Sequence, residues 1–546
     1  MQLSALHRNS ISAGINKKRF DLIIIGGGIT GAGIALDAAS RDMQVLLLEK
    51  YDFASGTSSK STKLIHGGLR YLKQLEFALV RQVGMERGII HQLAPHLVEP
   101  INMLLPIYKN GSLGRTTTSL ALWVYDFLAK VKKQDAYRML GKLQIQNFEP
   151  LLKTNGLIGG AVYKEYRTDD ARLTIEILKT AAEYGATCLN YAKVENFLFE
   201  ENKIAGVKLH DLITNTSHDV YAKKIINAAG PWVDEVRRSD NPPEEKTLHL
   251  TKGIHIVVNK TRLHVQHAVY FDVESDKRMI FVIPRNEIVY IGTTDTNYSG
   301  DKDDIAVTKE DVNYLLHAVN KMFPSVQLQK TDIISSWAGL RPLIHEHGKS
   351  PSELSRKDEI FISDRGLISI AGGKLTGYRK MAEKAVDLIA DKFKRENDID
   401  YPACKTSTIQ LHGAGFEIPI EEYIERRAGE AKQIQINTDH INYLVKTYGT
   451  DTDKIIELAF EKYNVIQNPK KRILYAEILY SVQHEMTTNI SDFAIRRTGK
   501  LYFQKEQLLD EYKLINDILS EIIPAYEADV QLKFFEHILA SSTHFD

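Results

Sequence analysis

The chain reads as an α/β protein in three parts: a nucleotide-binding unit on a parallel sheet, a mixed-sheet unit interleaved with it, and an all-helical carboxy-terminal domain. Three observations predict this. Phe20 to Lys50 runs from the apolar strand DLIIIG through the turn GGGITG and an alanine-rich helix to a second strand, VLLLE, the order of one βαβ unit. A long middle stretch then mixes helical patterns (LALWVYDFLAKV, ARLTIEILKTAAEYG) with short strands (KIAGVKLHD, KIINAAG, GIHIVVN, RMIFVIPR, IVYIGTTD). From about Ile418 onward only charged amphipathic helix patterns remain.

With 546 residues, 43% of them hydrophobic, the chain is too long for one core and rich enough to fill two or three. Lysine plus arginine equals aspartate plus glutamate at 70 each, so no global field draws the molecule onto nucleic acid. Two cysteines without motif spacing, Cys188 and Cys404, suit a reducing compartment. No apolar run approaches the ~20 residues of a membrane span, and the amino terminus lacks the apolar core of a secretion signal. Residues 1–19 carry Arg8, Lys17, Lys18 and Arg19 and no acidic residue; they read as a disordered arm able to touch anionic lipid.

Gly26, Gly28 and Gly31 form GxGxxG between strand and helix, and Glu49 ends the next strand, where a ribose hydroxyl is expected. Glycines there allow a tight turn and bring pyrophosphate onto a helix amino terminus, making the unit Rossmann-like. Two later elements select FAD over a nicotinamide. KIINAAGPW ends an apolar strand in Ala229 and Gly230, suited to backbone passing beside a long ligand. GLISIAGGKLTGYRKMAE repeats strand, glycine pair (Gly372, Gly373) and helix, so a second helix amino terminus meets the far end of an extended dinucleotide. Shortly after Glu49, SGTSSKSTKLIHGG offers Thr57, Ser58, Ser61 and Thr62 as donors, or is a solvated serine loop.

In order, GGGITGAGIALDAASR, SSKSTKLIHGGLRYLKQ, YRTDDARL, NAAGPWVD, TKGIHIVV, IGTTDT, SWAGLRPLI, AGGKLTGYRKMAE and the late segment HEMTTNISDFAIRRTGKLYF resemble the FAD-dependent glycerol-3-phosphate dehydrogenases. The resemblance implies an FAD domain of the glutathione-reductase and amino-acid-oxidase type, discontinuous over 20–95, 155–235 and 335–396. It further implies a substrate domain at 96–154 and 236–334, a linker at 397–417 and the helical domain at 418–546. The implied reaction is oxidation of sn-glycerol 3-phosphate to dihydroxyacetone phosphate, with hydride passing from C2 to flavin N5 and electrons going on to quinone. The implied setting is a cytoplasmic protein, attached peripherally to the anionic inner face of the membrane, and a homodimer is compatible with it. The rival within the resemblance is a glycerophosphate oxidase that passes electrons to oxygen; the mid-chain insertion usual there has no obvious room.

Such a substrate is a phosphate dianion bearing a secondary alcohol, so cations and a base are needed beside the flavin. Arg70 in LIHGGLRY and Arg341 in SWAGLRPL would clamp phosphate or orient the alcohol, although an isolated arginine more often serves a surface ion pair. Lys374 would stabilise reduced flavin or meet substrate, and Tyr71 would add a hydroxyl contact or pack. His66 is favoured as base, with His255 as substrate contact or alternative base. Thr294 and Asp295 either border the pocket or cap a turn. The expected cofactor contacts are Gly26, Gly27, Gly28, Thr30, Gly31, Glu49, Lys50, Thr57, Ser58, Ser61, Thr62, Lys63, Leu64, His66, Ala229, Gly230, Gly372, Gly373, Lys374, Leu375 and Thr376. In the run His345, Glu346, His347 the two histidines share one side of a strand but no third ligand is evident, so it reads as a polar loop and no metal is expected. LALWVYDFLAKVKK sets Trp123, Phe127 and Leu128 beside Lys130, Lys132 and Lys133, as either an interfacial helix or a core helix with a basic end.

Overall fold

The computed structural model describes residues 3–68, 76–109, 111, 114–241, 246–344 and 358–545. Its first sheet runs Asp358–Ile362, Ile368–Gly372, Thr216–Asn227, Arg19–Ile25, Val45–Leu48, Thr187–Leu189. Every neighbouring pair is parallel except the first. Parallel strands are covered on both faces, and this accounts for the unbroken apolar runs Leu22–Ile25 and Val45–Leu48, all buried. The hairpin Ala192–Glu200 and Lys203–Asp211 adds antiparallel strands beside Thr216–Asn227. On one face the Ile29–Ser40 helix packs against Tyr378–Asn397 so closely that a Cβ on Gly33 would lie 2.8 Å from the Tyr378 ring.

The second sheet is mixed and larger, with ten strands. Its centre is Leu248–Asn259, antiparallel to both Ile288–Gly292 and Ile333–Ile344. Two strands that the sequence assigns to the cofactor unit, Leu157–Arg167 and Ile333–Ile344, belong to this sheet instead. The first pairs with Glu99–Tyr108 over its whole length and the second with Leu248–Asn259. Long antiparallel ladders hold them to those partners, against the range that the resemblance implies for the FAD domain.

The expected disordered arm is a docked helix, Arg8–Ile15. Arg8 is buried, holding Asp211 at 3.1 Å and the Asn190 carbonyl at 2.5 Å, so this cation serves the fold and not a lipid surface. After the Tyr378–Asn397 helix the chain packs back onto the cofactor unit, with Leu411 donating its N–H to the Leu93 carbonyl, before the carboxy-terminal helices begin at Ile420.

Candidate functional site: a cradle for an extended dinucleotide

A cavity of about 460 Å³ lies between the two sheets. At one end it is walled by the glycine turn. Gly26 has φ +114°, and a Cβ there would stand 2.6 Å from the Ala228 carbonyl oxygen, so only glycine lets the two cofactor-side strands come together. Gly31 does not line the cavity; a Cβ on it would overlap the Gly26 carbonyl oxygen, so it is a packing requirement of the turn. Gly27 is also off the wall, and donates its N–H to Glu49 Oε2 at 2.7 Å. Glu49 accepts a second bond from the Tyr51 N–H, and burial raises its carboxyl pKa against the pull of those bonds.

Gly28, Thr30, Glu49, Lys50, Thr57, Ser58, Ser61, Thr62, Leu64, His66, Ala229 and Gly230 line this end and the middle. At the far end the wall is Gly372, Gly373, Lys374, Leu375 and Thr376. Gly372 and Gly373 have φ of +78° and +87°, the left-handed turn that brings the Tyr378–Asn397 helix amino terminus to the cavity. The paired glycine turns, the apolar strand ends and the hydroxyl-lined middle fit a long dinucleotide. Lys63, like Gly27 and Gly31, is an expected contact that does not reach the wall: it is buried away from the cavity, paired with Asp170 at 2.5 Å.

The substrate end is built from three adjacent strands of the second sheet. Register places Thr251 opposite Arg341, Gly253 opposite Gly339, and His255 opposite both Trp337 and Gly292. Glycine at these positions leaves slots for the side chains beside them. A Cβ on Gly253 would lie 2.3 Å from Arg341 Nη2, and one on Gly292 would lie 2.1 Å from His255 Cδ2. Arg341 donates to the Thr294 carbonyl (3.1 Å), Asp295 Oδ1 (3.0 Å) and the Thr293 hydroxyl (2.9 Å), which together fix its plane. Thr294 itself is buried off the cavity, its hydroxyl accepting the Ile254 N–H.

His255 stacks on Trp337 with ring centroids 4.8 Å apart and 13° between planes, and its Nε2 meets the Thr62 hydroxyl at 3.0 Å. Burial, reinforced by the positive charges of Arg341 and Lys63, pushes its pKa well below the usual value, so the ring is neutral. His66 lines the same cavity with its ring edge toward Phe281. Arg70, Tyr71 and the His345–Glu346–His347 run lie outside the described residues.

A profile of the FAD-dependent oxidoreductases matches residues 21–379, and one for the C-terminal domain of alpha-glycerophosphate oxidase matches 404–525. The aerobic glycerol-3-phosphate dehydrogenase of Staphylococcus haemolyticus is 48% identical over 95% of this chain and 93% of the relative. That of Staphylococcus aureus strain USA300 is 46% identical over 97% and 96%. The chain belongs to the aerobic, FAD-dependent glycerol-3-phosphate dehydrogenase family. Among solved structures, the glycerol-3-phosphate dehydrogenase of Bacillus halodurans complexed with FAD superimposes with a TM-score of 0.85 at 40% identity, covering 99% of this chain and 98% of that one. The FAD-bound L-alpha-glycerophosphate oxidase of Mycoplasma pneumoniae shares the fold at a TM-score of 0.57 and 18% identity, over 74% of this chain and 99% of that one.

Membership makes FAD the cofactor of the cradle and draws attention to residues the sequence argument passed over. Lys60, Trp232, Gly253, Gly339 and Met381 all line the cavity. Gly253 and Gly339 sit inside TKGIHIVV and SWAGLRPL, where a glycine two residues from a polar side chain on one strand face was the available signal. Among the described residues one group has metal-ligand proximity: Glu176, His412 and Asp451. Lys179 already lies among them, 2.9 Å from Asp451 and 3.1 Å from Glu176, and supplies the balancing positive charge.

Proposed function

We propose that the chain oxidises sn-glycerol 3-phosphate to dihydroxyacetone phosphate and delivers the electrons to membrane quinone. The observation carrying the proposal is the meeting of Arg341, His255 and Lys374 on the walls of a cavity whose other end is the dinucleotide cradle. FAD, when bound there, accepts the hydride that leaves C2. Arg341, held flat by Thr293, Thr294 and Asp295, binds the phosphate dianion. His255, neutral and oriented by Thr62 and Trp337, takes the proton of the C2 hydroxyl, while Lys374 supplies positive charge at the second glycine turn. His66, favoured from sequence as the base, lines the same cavity and is the competitor for the proton; matched His→Gln variants separate the two by their single-turnover rates.

Anaerobic mixing of the yellow holoenzyme with glycerol 3-phosphate is expected to bleach the flavin, and a flavin that stays oxidised defeats the proposal. Quinone and oxygen then compete as acceptors, and hydrogen peroxide formed as fast as quinone is reduced would make the enzyme an oxidase.

Attachment to an anionic membrane is proposed through the Arg115–Leu128 helix. Leu120, Trp123 and Phe127 are 63%, 57% and 71% exposed on one stripe of it, with the Trp123 and Phe127 rings stacked. Lys130, Lys132 and Lys133 follow directly. Among the described residues no helix is long and apolar enough to cross a membrane.

A further inference from the structure

Trp337, the ring beneath His255, is held from two directions. On the cofactor side its indole N–H donates to the Ser61 carbonyl at 3.1 Å, and the Ser61 hydroxyl donates to Asp170 Oδ2 at 2.6 Å. On the other side lies the carboxy-terminal helical domain. The Ser335 hydroxyl, two residues before Trp337, donates to the Leu501 carbonyl at 2.9 Å, and the Tyr502 and Phe503 rings stand 5.0 and 6.4 Å from the indole. The Lys63 ammonium sits among these rings. It donates to the Ser59 carbonyl (2.9 Å) and Asp170 (2.5 Å), and its nitrogen is 5.4 Å from the Trp337 ring centre and 5.6 Å from each of Tyr502 and Phe503. Lys63 adopts φ +55°, a backbone state uncommon for a residue with a side chain. A buried ammonium with two hydrogen-bond acceptors directs its remaining charge onto ring faces, and so locks the planes of those rings.

We propose that the Lys500–Phe503 turn is part of the positioning machinery of the active site: Tyr502 and Phe503 close, with Trp337, a three-ring cage on Lys63, and the cage fixes the indole face against which His255 is stacked. Tyr502, Phe503 and Lys63 are positioning residues, none of them touching the cavity. This rests on the reading of His255 as a residue of the glycerol 3-phosphate site. It gives the helical domain a task in catalysis, since the cage cannot close without it.

The test uses full-length holoenzyme in anaerobic single turnover with glycerol 3-phosphate, from acid to alkaline pH. The pair Tyr502→Leu with Phe503→Leu keeps apolar bulk and removes both ring faces. It is expected to retain flavin, to reduce it at least about tenfold more slowly at saturating substrate, and to show a moved pH midpoint. Tyr502→Phe, which keeps the ring, should restore both rate and midpoint relative to Tyr502→Leu. Should the pair lose flavin, Phe503→Leu alone carries the same expectation on a smaller scale. Wild-type rate and midpoint in the leucine variants overturn the proposal, as does slowing that Tyr502→Phe shares. If the wild type itself is not bleached, the proposed function is what fails. The cage is then judged by the Trp337 contribution to fluorescence, taken as the difference from Trp337→Phe. A red shift in the leucine pair supports the cage, and an unmoved emission overturns it.

Discussion

At the scale of single residues, the site depends as much on absent side chains as on present ones. Gly292 exists to give His255 its place, so Gly292→Ala should push the imidazole off Trp337 and slow flavin reduction by about 100-fold or more while flavin binding persists. A stopped-flow trace that matches wild type would show that the ring's placement does not matter. Arg341→Ala removes a guanidinium fixed by three partners, and kcat/KM for glycerol 3-phosphate should fall by ~2–4 kcal/mol in transition-state terms. Steady-state kinetics with an uncharged analogue supplies the control, because the analogue should lose far less. Both flavin-side glycine turns were legible in the sequence because their spacing has a mechanical meaning, whereas Arg341 and His255 were singled out by the motifs that carry the family resemblance. The sequence misassigned Thr294 and Lys63 to the ligand: a polar residue in a site motif looks the same whether it faces the ligand or braces a neighbour from behind, and only the fold tells them apart.

Elements show the same division between pattern and context. The βαβ start was plain because its strands are apolar on both faces and its glycines fall at the turn. The amino-terminal helix was missed, since eight residues of weak periodicity are held by partners far along the chain, Arg8 and Ser12 on Asp211 and Arg8 on Asn190. Strands Leu157–Arg167 and Ile333–Ile344 fall largely within ranges expected for the FAD domain yet pair in the second sheet, because a sequence range says nothing about a strand's partner. The Arg115–Leu128 helix had two readings from sequence, and its exposed stripe weighs for the interfacial one. Trp123→Ser with Phe127→Ser should therefore weaken sedimentation with anionic vesicles by at least about tenfold, while flavin content holds. Unchanged co-sedimentation would move the attachment site elsewhere.

On the scale of the whole molecule, the carboxy-terminal domain is joined to the cofactor unit by buried charge. Arg497 grips Asp52 with two bonds of 2.7 and 2.8 Å, both side chains fully buried, and Arg496 pairs with the same carboxylate. Burial alone would raise the Asp52 pKa; the two arginines outweigh it and hold it below the usual carboxylate range. Asp52→Asn removes the carboxylate charge shared by both guanidinium groups, leaving Arg496 with Asp492 and Arg497 with the Glu485 carbonyl, and should cost ~3–5 kcal/mol of stability in a denaturant titration. A second joint is pH-sensitive. His412 on the connecting segment reaches Asp451 and Glu183, each at 2.5 Å. Burial and Lys179 oppose its protonation, yet the bonds to Asp451 and Glu183, with the charge of Glu176, carry its pKa up to about 9. Because the folded value lies above the unfolded one of about 6.5, this stabilisation is complete below that pH and fades as pH rises through about 9. Thermal unfolding of His412→Gln against wild type should then show a gap in midpoint at neutral pH that closes on the alkaline side; a gap constant with pH would remove the histidine from the joint.

The order of strands in the first sheet bears on how the protein is made. Thr216–Asn227 is flanked by Arg19–Ile25 on one side and Ile368–Gly372 on the other, so the central sheet has an open edge until the ribosome has passed Gly372. The cradle for flavin shares that strand end, and its complete wall needs the glycine turns from both flanking strands. Cofactor capture is therefore a late event in the life of the nascent chain. Without flavin the finished chain lacks the ligand that spans both ends of the cradle, so binding of FAD adds to the stability of the folded protein itself.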